Sequence, residues 1–243
     1  MPIGETLLLE VENGIAWLTL NRPRLLNAYN VQMRDELYEA LGLIADHPEL
    51  RVVVFRGAGD RAFCAGADLT EFGTAPSQAI ARRVRFERDV WGRFLALRKP
   101  LIAAIHGYCL GSGLEIALCC DIRIASADAR FGLPETGLGM IPAAAGTQTL
   151  PRAIGVSRAL YLQLAGQQVN PQAALQMGLV NGVVPSQDLY GAALSTATLL
   201  AGLPAAAIGA AKEAVYRGMD VTLVQGLDVE LRLALALAAE GRS

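Results

Sequence analysis

Two short apolar runs open the chain, Leu7 to Glu12 and Gly14 to Leu20, and they meet at Asn13-Gly14. Asn-Gly between such runs is a strong hairpin signal, because both residues tolerate positive φ. The chain is therefore expected to begin with antiparallel strands. After Asn21-Arg22-Pro23, residues 31 to 46 place Met33, Leu37, Leu41 and Ile44 on one helical face, with Asn30 available as the N-cap. Arg51-Val52-Val53-Val54-Phe55 then reads as a buried strand ending at Gly57-Ala58-Gly59.

Residues 76 to 97 carry an amphipathic helical pattern whose wet side holds Arg82, Arg83, Arg85 and Arg88, a solvated face that ends at Lys99-Pro100. Next comes the stretch around which the chain is organised. The apolar run Leu101 to Ile105 enters a loop with glycines at 107, 111 and 113, and the helical run Leu114 to Cys120 leaves it carrying one carboxylate, Glu115. Glycines at such a turn permit positive φ and close approach of a ligand to the main chain. The first N–H groups of the helix lack intrahelical partners and suit a negatively charged oxygen. A Glu buried one turn inside the helix would be costly without a task or a partner.

Ala62 to Leu69 is of the same kind: a short apolar segment, Gly66, small residues and a helix start, hence a second set of exposed amides. Ile122 to Ala125 reads as a strand, and Arg130 to Glu135 leads into Thr136 to Pro142. Strand-and-turn units thus recur at 51 to 57, 101 to 107 and 122 to 133, without literal repetition. Helical patterns follow at 146 to 154, 156 to 165 and 171 to 177, with a last short strand at 179 to 184. From 186 onward the pattern is helix only, which suggests a boundary there.

Composition narrows the class. The 243 residues allow one large domain, or one domain with a small appendage. With 53% hydrophobic and only 18% charged residues, the chain is lean in charge for a monomer, so apolar surface is expected between subunits. A net charge of −2 with acids and bases mixed offers no basic stripe, which argues against nucleic acid as a partner. Four cysteines without a CxxC pattern and two distant histidines, His47 and His106, favour reduced thiols in the cytoplasm over a zinc site or disulfides. The N-terminus lacks the pattern of a signal peptide. Leu189 to Ala211 carries no charge, but it is rich in small residues and interrupted by Pro204, so two helices are expected there rather than a membrane span.

The chain resembles the crotonase superfamily, the enoyl-CoA hydratase and isomerase group, over nearly its full length. The residues that carry the resemblance are Asn21-Arg22-Pro23 with Leu26-Asn27-Ala28, Ala62 to Leu69 and Gly107 to Asp121. Phe131 with Pro134-Glu135, Ile141-Pro142 with Gly146-Thr147-Gln148, and Ala174 to Val180 complete the set. Their order and spacing are more specific than any one fragment.

The resemblance implies an α/β fold, a spiral of repeated ββα units over residues 1–185, followed by a C-terminal helical trimerisation region over 186–243. Trimers of this group often stack into hexamers. It implies acyl-CoA substrates, with coenzyme A as part of the substrate and no separate cofactor or metal. It places the oxyanion hole at the backbone N–H groups of Ala67 and Ser112 and the catalytic carboxylates at Glu115 and Glu135. The thioester and pantetheine would run along Leu26, Ala65, Ala67, Asp68 and Leu69, with Arg24 near the nucleotide, Gly111 beside the substrate and the Ala143 N–H near the water.

Three departures stand out: Ser112 occupies a usual glycine position, Pro142-Ala143-Ala144-Ala145-Gly146 has alanines where glycines are common, and Thr70 replaces a lysine found in some hydratases. The sequence given also stops before the aromatic and basic tail that often completes the CoA pocket.

Adding water across a C=C bond beside a thioester puts negative charge on the thioester oxygen, and two N–H donors aimed there lower the barrier, each by about 10²–10³ in rate. Hydration also needs one group to take a proton from water and another to protonate the α-carbon, which two carboxylates in different protonation states provide. These considerations favour a hydro-lyase acting on a 2-enoyl-CoA. A Δ3-Δ2 enoyl-CoA isomerase is the nearest alternative, and a non-catalytic assembly or RNA-binding subunit is an alternative of another class.

Overall fold

A computed structural model of the protein describes residues 4–75, 77, 80 and 87–240. Strands β1 (Leu7–Glu12) and β2 (Ile15–Leu20) pair antiparallel, with Leu7 opposite Leu20 and Glu12 opposite Ile15. Asn13 and Gly14 turn between them with φ of 51° and 77°, the backbone that the dipeptide predicts. Helix α1 (Val31–Asp46) begins where the Asn30 side chain accepts the Met33 N–H at 3.0 Å, and it buries Met33, Leu37, Leu41 and Ile44 as the periodicity predicts.

The remaining strands alternate between two sheets. Strands β3 (Val52–Gly57), β4 (Ala62–Cys64), β5 (Leu101–Ile105), β6 (Tyr108–Leu110), β7 (Ile122–Ser126), β8 (Arg130–Gly132) and β9 (Gly182–Val184) complete the set among the described residues. The large sheet has the order β1-β2-β3-β5-β7-β9 and the small one β4-β6-β8. Each of three successive units gives one strand to the large sheet and one three-residue strand to the small sheet, every such pairing being parallel. This is the ββα spiral. Its consequence is local: the C-terminal ends of β4, β6 and β8 point the same way, so the segments leaving them emerge side by side.

The helices that follow the first are α2 (Val90–Ala96), α3 (Ser112–Leu118), α4 (Gly146–Ile154), α5 (Val156–Ala165), α6 (Pro171–Gln176), α7 (Leu189–Ala201), α8 (Ala205–Met219) and α9 (Leu223–Glu240). One face of the large sheet packs with α1, α2 and α3 into the main core, which includes Phe55, Phe63, Phe94 and Phe131. The other face, with Ile15, Trp17, Val54 and Ile102, is covered by Leu189, Ala193 and Ala197 of α7. Pro204 separates α7 from α8 as expected, and among the described residues no single helix is long and apolar enough to cross a membrane.

Two expectations need correction. The loop expected between Ile105 and Leu114 contains strand β6, which is too short to show an alternating pattern. The helical pattern of residues 76 to 97 does not run through. The Asp89 side chain accepts the Gly92 N–H at 2.9 Å and starts a separate helix, α2. The arginines at 82, 83 and 85 lie outside the described residues.

Candidate active site

Three backbone segments build the site, one from the end of each small-sheet strand. After β4, residues 65–68 pair with residues 26–29: the Ala65 N–H donates to Leu26 O at 3.0 Å, Tyr29 N–H to Gly66 O at 2.8 Å and Asp68 N–H to Tyr29 O at 2.8 Å. Successive amides of an extended segment face opposite sides. Ala67 is therefore turned the other way, and among the described residues its N–H meets no acceptor. Buried Asn27 braces this arrangement: it accepts from the Arg22 N–H at 2.9 Å and donates to Ala58 O at 2.9 Å and Ala62 O at 2.8 Å. An ion pair between Arg22 and Asp68 at 2.9 Å closes the loop from outside.

After β6 the chain turns at Gly111, with φ 50° and ψ −127°, into α3. Ser112 is the first helical residue, so its N–H has no intrahelical acceptor. A Cβ on Gly111 would lie 3.4 Å from Gly66 Cα, so the residues preceding Ala67 and Ser112 touch backbone to backbone. Gly113 is required for close approach, since a Cβ there would collide with the carbonyl of Cys64.

Glu115, one turn into α3, is 2% exposed. Its Oε1 accepts from the Ala144 N–H at 2.8 Å and the Gly146 N–H at 2.9 Å. Ala145, between those donors, has φ 76°. A left-handed residue flanked by two inward N–H groups forms an anion-holding nest, here gripping a carboxylate. Glu135 follows β8 through Leu133-Pro134. Burial pushes its carboxyl above the ordinary value of 4.5, and among the described residues its buried Oε2 has no hydrogen-bond partner.

A cavity of about 770 Å³ takes its lining from all of these: Ala67, Ser112, Glu115 and Glu135 share it. Of the other expected residues, Ala65, Leu69, Gly111 and Ala143 also line it. Leu26, Arg24 and Asp68 are not among the lining residues. Leu26 accepts the Ala65 amide, Arg24 is exposed in a short 3₁₀ turn and Asp68 is engaged with Arg22.

Sequence reasoning missed Tyr29 and Trp91, which line the cavity with ring centroids 5.9 Å apart, and it missed the two amides on Glu115. The Asn27 clamp had a signal in the Leu26-Asn27-Ala28 fragment. The nest had none, because alanine does not advertise positive φ. Two unengaged amides beside two carboxylates suit chemistry in which negative charge builds on one oxygen while protons move at neighbouring atoms.

Enzymes acting on acyl thioesters through an enolate-like state need such a cavity. The sequence profile of the Enoyl-CoA hydratase/isomerase family matches residues 10–242. The chain is 40% identical over 233 residues to the 2,3-dehydroadipyl-CoA hydratase of Escherichia coli, covering 96% of this chain and 90% of that protein. It is 39% identical over 223 residues to the short-chain-enoyl-CoA hydratase of Clostridium acetobutylicum, covering 92% and 85%. The crystal structure of the enoyl-CoA hydratase from Bacillus anthracis superimposes with a TM-score of 0.91 at 37% identity, covering 96% of this chain and 91% of that one. The chain belongs to the enoyl-CoA hydratase/isomerase family, within the crotonase superfamily.

Proposed function

We propose that the protein is an enoyl-CoA hydratase, a hydro-lyase that adds water across the 2,3 double bond of a 2-enoyl-CoA thioester. The observation that carries this reading is the shared cavity of Ala67, Ser112, Glu115 and Glu135. The Ala67 and Ser112 N–H groups hold the thioester oxygen as it gains negative charge. Glu115, fixed by Ala144 and Gly146, takes a proton from the water whose oxygen bonds to C3. Glu135 carries a proton at a pH where an ordinary carboxyl has lost it and delivers that proton to C2. Proton exchange with solvent resets the pair. Serine at 112 serves as glycine would, because the donor is its main-chain N–H.

Coenzyme A enters as part of the substrate, and no other cofactor is required. It runs past Ala65 and Leu69, with Leu26 and Asp68 behind them and Arg24 toward the nucleotide. The region from 186 onward builds a trimer or a dimer of trimers. The support is an apolar face on α9, where Leu223, Val224, Leu227, Leu231 and Leu235 are all exposed. Four buried, unpaired cysteines fit a reducing compartment such as the cytoplasm.

The test follows loss of the conjugated-thioester absorbance of crotonyl-CoA with wild type, Glu115→Ala and Glu135→Gln. The wild type is expected to hydrate, and both variants to lose most of the rate. A wild type inert to crotonyl-CoA but able to convert a 3-enoyl-CoA would overturn the hydratase reading in favour of an isomerase.

A further inference from the structure

Two arginines line the same cavity and have no part in the hydration: Arg34, in the first turns of α1, and Arg88, just before α2. Among the described residues, Asp35 and Glu39 approach them. Arg34 meets Asp35 Oδ1 through Nε at 2.9 Å and Nη2 at 2.8 Å, and Arg88 Nε lies 3.8 Å from that same oxygen. Arg88 Nη1 also reaches Glu39 Oε1 at 3.2 Å, but the Glu39 side chain is 64% exposed, and such a pair contributes little. Two guanidiniums thus stand at the wall of a cavity that Glu115 and Glu135 also line, sharing Asp35 Oδ1 between them, with the exposed Glu39 as the second acid beside Arg88.

The surroundings put these two guanidiniums on the acyl side. Tyr29 pairs through its backbone with Ala67, so its side chain starts beside the oxyanion donor, and Trp91 and Val90 extend the apolar lining from there. Burial pushes the phenol of Tyr29 up, the charge of Arg34 opposes that rise and the charges of Asp35 and Glu115 add to it, so Arg34 is within electrostatic reach of the ring together with those two acids. Among the described residues the Tyr29 hydroxyl has no hydrogen-bond partner. An alkyl chain has no use for two cations and an unengaged hydroxyl. A carboxylate uses all three, since guanidinium forks bind it with charge-assisted hydrogen bonds.

We infer that the acyl end of this cavity receives an anion: the preferred substrates are 2-enoyl-CoA thioesters that carry a second, distal carboxylate, held by Arg34 and Arg88. The inference rests on the hydratase reading and deepens it.

The test compares 2-hexenoyl-CoA with the analogue in which a carboxylate replaces the terminal methyl group. The wild type is expected to favour the carboxylated substrate in kcat/KM by about ten-fold or more, the scale of one charge-assisted contact. In Arg34→Gln and Arg88→Gln that ratio is expected to fall about ten-fold, chiefly through KM, with partial recovery in Arg34→Lys. Circular dichroism establishes that each variant is folded, and the wild-type preference needs no variant at all. Preference of the wild type for the methyl compound, or an unchanged ratio in both variants, overturns the inference. So does an equal loss on both substrates, which would assign the arginines to the phosphates of coenzyme A. Calorimetric binding of the saturated pair, hexanoyl-CoA and its carboxylated analogue, reads the same preference without turnover. Failure of hydration therefore cannot be mistaken for failure of anion recognition.

Discussion

The Gly146 N–H donates to Glu115 Oε1 at 2.9 Å and so ties the start of α4 to the acid on α3. The Ala144 N–H joins it at 2.8 Å, leaving Glu115 both buried and oriented. Removing the side chain in Glu115→Ala deprives both amides of this acceptor. It is expected to cost about 1–3 kcal/mol in stability, as for unsatisfied buried groups, and about 10²–10⁴ in kcat. Glu115→Gln keeps an oxygen for the amides but no base, so it is expected to lose the activity while holding more of the stability. Thermal melts alongside the crotonyl-CoA assay separate the two effects.

The strain at Ala145 is a cost the protein bears to aim those amides. At φ 76° an alanine is disfavoured by about 1–2 kcal/mol, against about 0.5–1 kcal/mol of extra chain entropy that a glycine would lose on folding. Ala145→Gly is therefore expected to be neutral to stabilising by up to about 1 kcal/mol, or about 2–4 °C in Tm. Ala145→Val, branched at Cβ, is expected to destabilise and to lower kcat by shifting the amides of Ala144 and Gly146. Calorimetry and kinetics on the two variants check both signs.

Glu135 sets a pH dependence whose sign follows from its burial. Its folded pKa lies above the ordinary 4.5, so its contribution to stability is full below that value and is lost as pH rises through the folded pKa. Glu135→Gln does not titrate and is expected to gain stability relative to wild type as pH rises from about 4 to about 8, read from Tm at each pH. Activity is expected to report the same titration. The wild-type kcat/KM falls as pH rises through the same pKa, whereas the variant, slower by about 10²–10⁴, lacks that limb.

Gly111 is constrained twice. Its φ of 50° with ψ of −127° suits glycine alone, and a Cβ would lie 3.1 Å from Glu135 Oε1. Gly111→Ala is expected to cost about 1–3 kcal/mol and to displace both the Ser112 amide and the Glu135 carboxyl. A fall in kcat larger than the fall in folded fraction, measured by stopped assay and far-UV circular dichroism, distinguishes this from simple unfolding.

How far the sequence foretold these features depended on the length over which each pattern ran. Asn13-Gly14, the Asn30 cap and the Met33-Leu37-Leu41-Ile44 stripe act over neighbouring residues, and they formed as expected. Strands β4, β6 and β8 have three residues each, too few for alternation to show. Their parallel pairing, which brings residues 67, 112 and 135 together, is a long-range property. Asp89 restarted a helix because a cap competed locally with a longer amphipathic pattern. Tyr29 and Trp91 escaped notice because their meeting depends on how α1 and α2 pack, and Ala145 because its backbone angle opposes its residue type.

Hydration in this cavity requires one oxygen between the amides of Ala67 and Ser112, with Glu115 and Glu135 both within reach of the double bond. A crystal structure with a bound, slowly reacting 2-enoyl-CoA analogue tests it most directly. The thioester oxygen is expected within about 2.7–3.1 Å of both nitrogens, with Glu115 and Glu135 flanking C2 and C3. A thioester oxygen out of reach of either amide, or an acyl chain bound outside the cavity these four residues share, would contradict the account.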